Sequence, residues 1–305
     1  MPWTPADLPD LTGRTFLITG ANSGIGKEAA RELARKGGRI LMACRSLDKA
    51  NEAMADLRAD VPGADLTFVQ LDLARLTSVR VAADAIGALG GCDVLINNAG
   101  IMAIPRTLTA DGFEMQIGTN HLGHFALTGL LLPDLLRRPG ARVVTVSSVA
   151  HRIGRMDLTD LMGERRYQKW AQYGRSKLAN LLFHHELHRR LQARAASVIS
   201  VACHPGYAAT NLQHVGPQME SSALGSLFAD IGNRWIAQSA AAGAWPTEYA
   251  ATAAAAGEFI GPDGFNNWRG HPTRNVPNAA SRDAETMRLL WERSVELTGV
   301  DFGGL

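Results

Sequence analysis

Tyr173 and Lys177 stand i and i+4 in Tyr173-Gly174-Arg175-Ser176-Lys177, so a helix would project both from one face. A free tyrosine titrates near pH ~10 and is a poor base at neutral pH. An ammonium about 4 Å away contributes ~4 kcal/mol at an effective dielectric near 20. That would lower the phenol by up to ~3 pH units, into the range where general acid–base chemistry works best. A hydroxyl partner is available upstream in Ser147-Ser148, at the end of the apolar run Val143-Val144-Thr145-Val146. Such a hydroxyl could stabilise charge developing on a substrate oxygen. The Tyr-x-x-x-Lys spacing occurs by chance in many helices, so its meaning depends on the surrounding elements.

The clearest of these begins at the strand-like run Arg14-Thr15-Phe16-Leu17-Ile18-Thr19. It runs into Gly20-Ala21-Asn22-Ser23-Gly24-Ile25-Gly26 and then into an Ala/Glu/Arg/Lys-rich helix reaching about Lys36, closed by Gly37-Gly38. Strand, glycine loop and helix N-terminus together present backbone N–H groups to a pyrophosphate. The glycines allow close backbone approach and tight helix packing. The spacing differs from Gly-x-Gly-x-x-Gly. The next strand ends Ala43-Cys44-Arg45-Ser46. A carboxylate there would bind a ribose 2′-hydroxyl, whereas arginine accommodates a 2′-phosphate. Arg45 and Ser46, with no Asp or Glu at the strand end, predict NADP(H), with NAD(H) left open.

Further apolar runs at Arg39–Cys44, Leu66–Gln70, Asp93–Asn97, Arg142–Ser147 and Ser197–Cys203 alternate with helical patterns. This predicts a doubly wound α/β fold, with a central parallel sheet flanked by helices and the ligand at the strands' carboxyl ends. One domain over 1–305 is expected, with dinucleotide binding mainly in 14–210 and a substrate-binding or lid segment at about 211–280. In the last part, Ser221–Ala256 reads as Ala-rich helix, with Pro246 starting or interrupting a helix. Gly261-Pro262-Asp263-Gly264 reads as a turn, and Ser281 as the N-cap of a final helix ending near Thr298-Gly299.

The 305 residues are 46% hydrophobic and 20% charged, with a formal net charge of +2, so no field for nucleic acid is implied. Three dispersed cysteines lie in apolar stretches, as expected in a reducing compartment. The N-terminus has no signal-peptide pattern and no run is long enough to span a membrane, so a cytoplasmic protein without membrane or nucleic-acid partners is expected. His184 and His188 share i,i+4 spacing, but the intervening order is not a zinc-protease motif, and no metal is assigned.

Taken in order, the glycine loop, Leu71-Asp72-Leu73, Asn97-Asn98-Ala99-Gly100, Thr119-Asn120-His121, Val146-Ser147-Ser148, Tyr173-x-x-x-Lys177 and His204-Pro205-Gly206-x-x-x-Thr210 resemble the short-chain dehydrogenase/reductase family. The resemblance runs from about Arg14 to Thr210. Ala43-Cys44-Arg45, Asn120-His121-Leu122-Gly123-His124-Phe125 and Ser147-Ser148-Val149-Ala150-His151 are similar to its retinol-dehydrogenase-like branch.

The resemblance implies a Rossmann-type fold and hydride transfer between a nicotinamide cofactor and an alcohol or carbonyl carbon. Asn120, Ser148, Tyr173 and Lys177 would be the catalytic set. Ser148 would bind the substrate oxygen, Lys177 the nicotinamide ribose, and Asn120 a water linking Lys177 to solvent. Asp72 and Leu73 would lie at the adenine, and Asn98, Ala99 and Gly100 along the adenine ribose. Pro205, Gly206 and Thr210 would lie at the nicotinamide, beside the glycine-loop residues Gly20, Asn22, Ser23, Gly24, Ile25 and Gly26. The implied substrate is a small lipophilic alcohol, ketone or aldehyde. Two alternatives stay open: a non-catalytic NADP(H)-binding regulatory or interaction protein, and a protochlorophyllide-reductase-like C=C reductase. Many family members form dimers or tetramers through the helices containing Asn120 and Tyr173, so a homo-oligomer also stays open.

Overall fold

A computed structural model describes residues 2–207 and 238–305. Thr210, Trp235 and the first part of the Ala-rich segment lie outside the described residues. Eight strands form one sheet in the order β3-β2-β1-β4-β5-β6-β7-β8. They are β1 (Thr15–Thr19), β2 (Arg39–Cys44), β3 (Leu66–Gln70), β4 (Val94–Asn97), β5 (Arg142–Val146), β6 (Ile199–Cys203), β7 (Phe259–Pro262) and β8 (Pro272–Arg274). All neighbours are parallel except β7 and β8. The order reverses between β1 and β4, so the crevice for a dinucleotide opens at their carboxyl ends.

The helices are α1 (Gly24–Arg35), α2 (Leu47–Asp60), α3 (Leu76–Ala88), the short α4 (Met115–Ile117), α5 (Gly123–Leu135), α6 (Lys169–Ala193), α7 (Ala240–Thr252) and α8 (Ala284–Thr298). Their placement follows the two-residue period of the strands. In β1, Leu17 points into the apolar layer shared with Phe125, Leu127 and Phe183. Phe16 and Ile18 point into the opposite layer, with Leu33 and Ala250. The sheet is thus covered on both faces, which explains why its strands read as unbroken apolar runs.

Three sequence expectations change. Gly261-Pro262 is not a turn but the end of β7, which pairs parallel with β6 and carries β8 on its outer edge. Pro fits there because so short a strand needs few of its N–H groups. Pro246 lies buried inside α7, whose start is capped by Ser239. The last helix is capped by Asp283, which accepts from Thr286 N–H at 2.9 Å, while Ser281 instead donates to Asn278 O. The left-handed Gly299 ends α8 as its sequence implied.

Candidate active site

The loop after β1 is built for close approach. Gly20 and Gly24 adopt positive φ, at 68° and 53°. A Cβ on Gly26 would stand 2.5 Å from Asn98 Nδ2 and 2.6 Å from Gly20 O, so only glycine lets α1 begin this near the sheet. Ser23, the N-cap of α1, makes no side-chain cap bond. The first-turn N–H groups of α1 are therefore left for another acceptor, and this cradle fits a pyrophosphate. Ile25 is buried against Ala29 and Ala244, which fixes the first turn of α1.

Asn98 and Ala99 close the other side. Asn98 Nδ2 donates to Thr19 O at 2.8 Å, and both backbone N–H groups donate to Thr19 Oγ1 at 2.9 Å. The end of β4 is thereby laced to the end of β1, and Gly20 sits against Ala99. At the edge of the crevice Arg45 is exposed and Ser46 caps α2. Asp72 accepts from Ala74 N–H at 3.0 Å, and Leu73 is buried against Gly123. At the far end Gly206 holds φ at +69°, packed against Trp268 O, and Gln238 donates to Pro205 O at 2.6 Å.

Tyr173, Lys177, Asn120 and Ser148 converge beside this crevice. Tyr173 and Lys177 come from buried turns of α6, at 6% and 4% exposure. Ser148 ends the segment after β5 and lies close enough to the Tyr173 hydroxyl to lower its pKa. Its oxygen also accepts from Ala150 N–H at 3.2 Å, which leaves its proton for a second oxygen. Ser147 is spent elsewhere, donating to Lys177 O at 2.8 Å and so pinning α6 to β5. Of the two serines, Ser148 is the one beside the Tyr173 hydroxyl.

Asn120 lies in a π-helical turn, Gly118–Leu122, that joins α4 to α5. Such turns displace carbonyls from the regular ladder and recur at functional sites. Its side chain accepts from Ile101 N–H at 2.8 Å and donates to Ile101 O and Ser176 Oγ at 2.9 Å. The side-chain amide is therefore committed to protein partners. Any water at Asn120 would have to use its backbone carbonyl. A Cβ on Gly100 would meet Asn120 Oδ1 at 3.2 Å and Lys177 Nζ at 3.3 Å, so the ammonium lies beside Asn120.

The electrostatics differ from the sequence expectation. Burial raises the Tyr173 hydroxyl above its ordinary value, and the Ser148 hydrogen bond opposes this. The Lys177 Nζ is 5.9 Å from the centre of the Tyr173 ring and donates to Val146 O at 3.3 Å. Burial pushes Lys177 itself down to about 8. In the protein alone, desolvation outweighs the ion pairing expected from the i,i+4 spacing.

Two residues that the chemistry-first reading passed over belong to this region. Thr19 carries the bonds that lace β1 to β4. His124, fully buried, bonds Thr19 Oγ1 at 2.9 Å through Nε2 and Asn120 O at 3.0 Å through Nδ1. The i,i+4 spacing of Asn120 and His124 was the available sequence signal. His151 packs edge-on against Phe259, and Trp245 stacks on His271, so both serve packing. Among the described residues no helix is long and apolar enough to cross a membrane.

A nucleotide cradle at the switch point of a doubly wound sheet, with a buried Tyr–Ser–Lys cluster beside it, defines a dinucleotide-dependent oxidoreductase. The family model for short chain dehydrogenases matches residues 14–221, and the chain belongs to that family. It is 41% identical to human retinol dehydrogenase 13 over 300 residues, 95% of this chain and 86% of that protein. It is 39% identical to mouse polyprenol dehydrogenase over 307 residues, 98% of this chain and 88% of that protein. A crystal structure of an uncharacterized protein from Mycobacterium paratuberculosis superposes with a TM-score of 0.79 at 44% identity, covering 99% of each chain. Within the family the chain falls in the retinol-dehydrogenase-like branch, as an NAD(P)-dependent dehydrogenase acting on alcohols.

Proposed function

We propose that this enzyme interconverts a lipophilic alcohol and its aldehyde or ketone with NADP(H), using Tyr173 as general acid and base. The observation that carries the reading is the pairing of the buried Tyr173 with Ser148. The bound nicotinamide cofactor would supply or accept the hydride. The chain's own residues would do the rest. Ser148 would donate to the substrate oxygen, and Tyr173 would pass a proton to it in reduction and take one in oxidation. Lys177 would hold the nicotinamide ribose, and its charge would favour the tyrosinate during oxidation. Asn120 would keep Lys177 in reach of solvent protons through its carbonyl.

Gly20, Asn22, Ser23, Gly24, Ile25 and Gly26 would hold the pyrophosphate. Asp72 and Leu73 would border the adenine, with Asn98, Ala99 and Gly100 along its ribose. Pro205 and Gly206 would border the nicotinamide. The exposed Arg45 with Ser46, and no carboxylate at the end of β2, supports NADP(H) over NAD(H). A lipophilic substrate is supported by the names of the two relatives, which specify retinol and polyprenol.

The test is NADPH oxidation with a panel of long apolar aldehydes and ketones, beside NADH, with nucleotide binding followed by fluorescence. Turnover should prefer NADPH, and Tyr173→Phe should lower it by about 10²- to 10⁴-fold while nucleotide affinity stays within about threefold. Substantial activity in the Phe variant would remove Tyr173 from the mechanism.

A further inference from the structure

His124 sits between the two halves of the site, and its hydrogen bonds have a fixed direction. Nδ1 faces the Asn120 carbonyl, an oxygen that can only accept, so Nδ1 carries a proton. Nε2 faces Thr19 Oγ1, whose two lone pairs already receive the N–H groups of Asn98 and Ala99. Thr19 can only donate its own proton outward. Ile96 O lies 3.4 Å away, and His124 Nε2 only 2.9 Å. Nε2 must therefore be bare. A cationic ring would point a second N–H at an oxygen with no lone pair to offer. Burial and the neighbouring Lys177 charge favour the same neutral form.

The result is one directional chain. The N–H groups of Asn98 and Ala99 donate to Thr19 Oγ, Thr19 O–H donates to His124 Nε2, and His124 Nδ1–H donates to Asn120 O. Its first links lie under the nucleotide cradle, and its last lies in the π-helical turn beside Lys177.

We infer that His124 is a positioning residue that holds the Asn120 carbonyl in register with the nucleotide-binding end of β1, and so sets the surroundings of Lys177. The inference rests on the oxidoreductase reading above. The groups facing the ring are Thr19 from β1, Asn120 from the π-helical turn, Lys177 from α6 and His121 on the preceding turn. His121 is itself held by Ser294 at 2.9 Å and is kept neutral by burial. Lys177 is therefore the only one of these groups whose ordinary charge change would register a displaced Asn120.

Three variants separate the links. His124→Asn keeps a donor near the Nδ1 position, His124→Gln keeps a group near Nε2, and His124→Leu removes both. With the full chain and NADPH, the Leu and Gln variants should lose about tenfold or more in kcat. The alkaline limb of their kcat profile should move by about half a pH unit or more. The Asn variant, which keeps the Asn120 link but loses the Thr19 link, should fall between the parent and the Leu variant on both measures. NADPH affinity by fluorescence should change by less than about threefold in all three.

Independently of turnover, the imidazole ¹⁵N spectrum of His124 should show the neutral Nδ1–H tautomer from about pH 5 to about pH 9. Loss of activity with an unmoved pH profile, equal in all three variants, would reduce His124 to a packing residue and overturn the inference. An Nε2–H tautomer would overturn it as well. Failure of the oxidoreductase reading would look different: the parent itself would turn over no carbonyl, while the tautomer stayed as described.

Discussion

Gly26→Ala tests the nucleotide cradle through its tightest contact. The added Cβ would lie 2.5 Å from Asn98 Nδ2 and 2.6 Å from Gly20 O, against ordinary contacts of 3.4 Å or more. The N-terminus of α1 must therefore withdraw by roughly 1 Å, or Asn98 must leave Thr19 O, to which it donates at 2.8 Å. Overpacking of this kind costs about 1–3 kcal/mol, and loss of the hydrogen bond adds ~1 kcal/mol. Better helix propensity returns up to ~1 kcal/mol, leaving a net loss of about 1–3 kcal/mol. At roughly 2–4 °C per kcal/mol, Tm should fall by about 2–12 °C.

The larger signal is in binding, because the moved N–H groups are those proposed to hold the pyrophosphate. At a concentration of NADPH about 100 times the parent Kd, binding stabilises the parent by about 2.7 kcal/mol. A tenfold weaker variant keeps ~1.4 kcal/mol of that. The assay is thermal unfolding with and without NADPH, on the parent and on Gly87→Ala. A Cβ on Gly87 meets nothing within 4 Å, so that variant should match or slightly exceed the parent. A Gly26→Ala protein with the parent's Tm and the parent's NADPH-induced shift would refute the placement of the cofactor on α1.

Lys177→Met should abolish turnover yet raise the stability of the nucleotide-free protein. Burial lowers Lys177 from 10.5 to about 8, a penalty on the charged form of about 3 kcal/mol. The native state releases this proton before the unfolded chain does, so the variant's advantage should be fullest below about pH 8 and vanish as pH rises towards 10.5. Denaturant titrations at several pH values would show a pH-independent difference if burial of the charge were not the cause. Glu248 in α7 is fully buried, has no hydrogen-bond partner for either carboxylate oxygen among the described residues, and is raised well above 4.5 by burial and then by Glu32 and Glu28. Its native state holds the proton longer than the unfolded chain, so stability should fall by ~1.4 kcal/mol per pH unit above the unfolded carboxyl value until the native group ionises. Glu248→Gln should therefore gain over the parent as pH rises from about 4 to about 7, and an unchanged Tm difference across that range would sink the assignment. Ser147→Ala and Ser148→Ala should each lose about 1 kcal/mol of stability, with the bonds to Lys177 O and from Ala150 N–H respectively, but only Ser148→Ala should lower kcat by about 10²-fold or more. Equal kinetic effects of the two serines would contradict the division of labour.

The amino-acid sequence alone determined the alternating strands and helices, because strands covered on both faces must be apolar along their length and the intervening helices must be amphipathic. It determined the glycine loop between β1 and α1 too, since glycines between a strand and a helix leave few other backbone paths. Tyr173 and Lys177 were placed on one face by local helical period, and Arg45 by its distance from the loop. Local patterns could not reveal β7 and β8, whose short strands exist only because β6 offers an edge. Nor could they decide between Ser147 and Ser148, which depends on how α6 lies across β5. The tyrosine and lysine illustrate the division best. Their spacing was legible, but their electrostatics were set by burial, which raises the Tyr173 hydroxyl and lowers the Lys177 ammonium, and by the Val146 O that holds the ammonium. Tertiary structure alone brought Thr19, His124 and Asn120 into one chain. A hydrogen bond across more than a hundred residues leaves no periodic trace in the sequence, and only the meeting of β1 with the π-helical turn creates it.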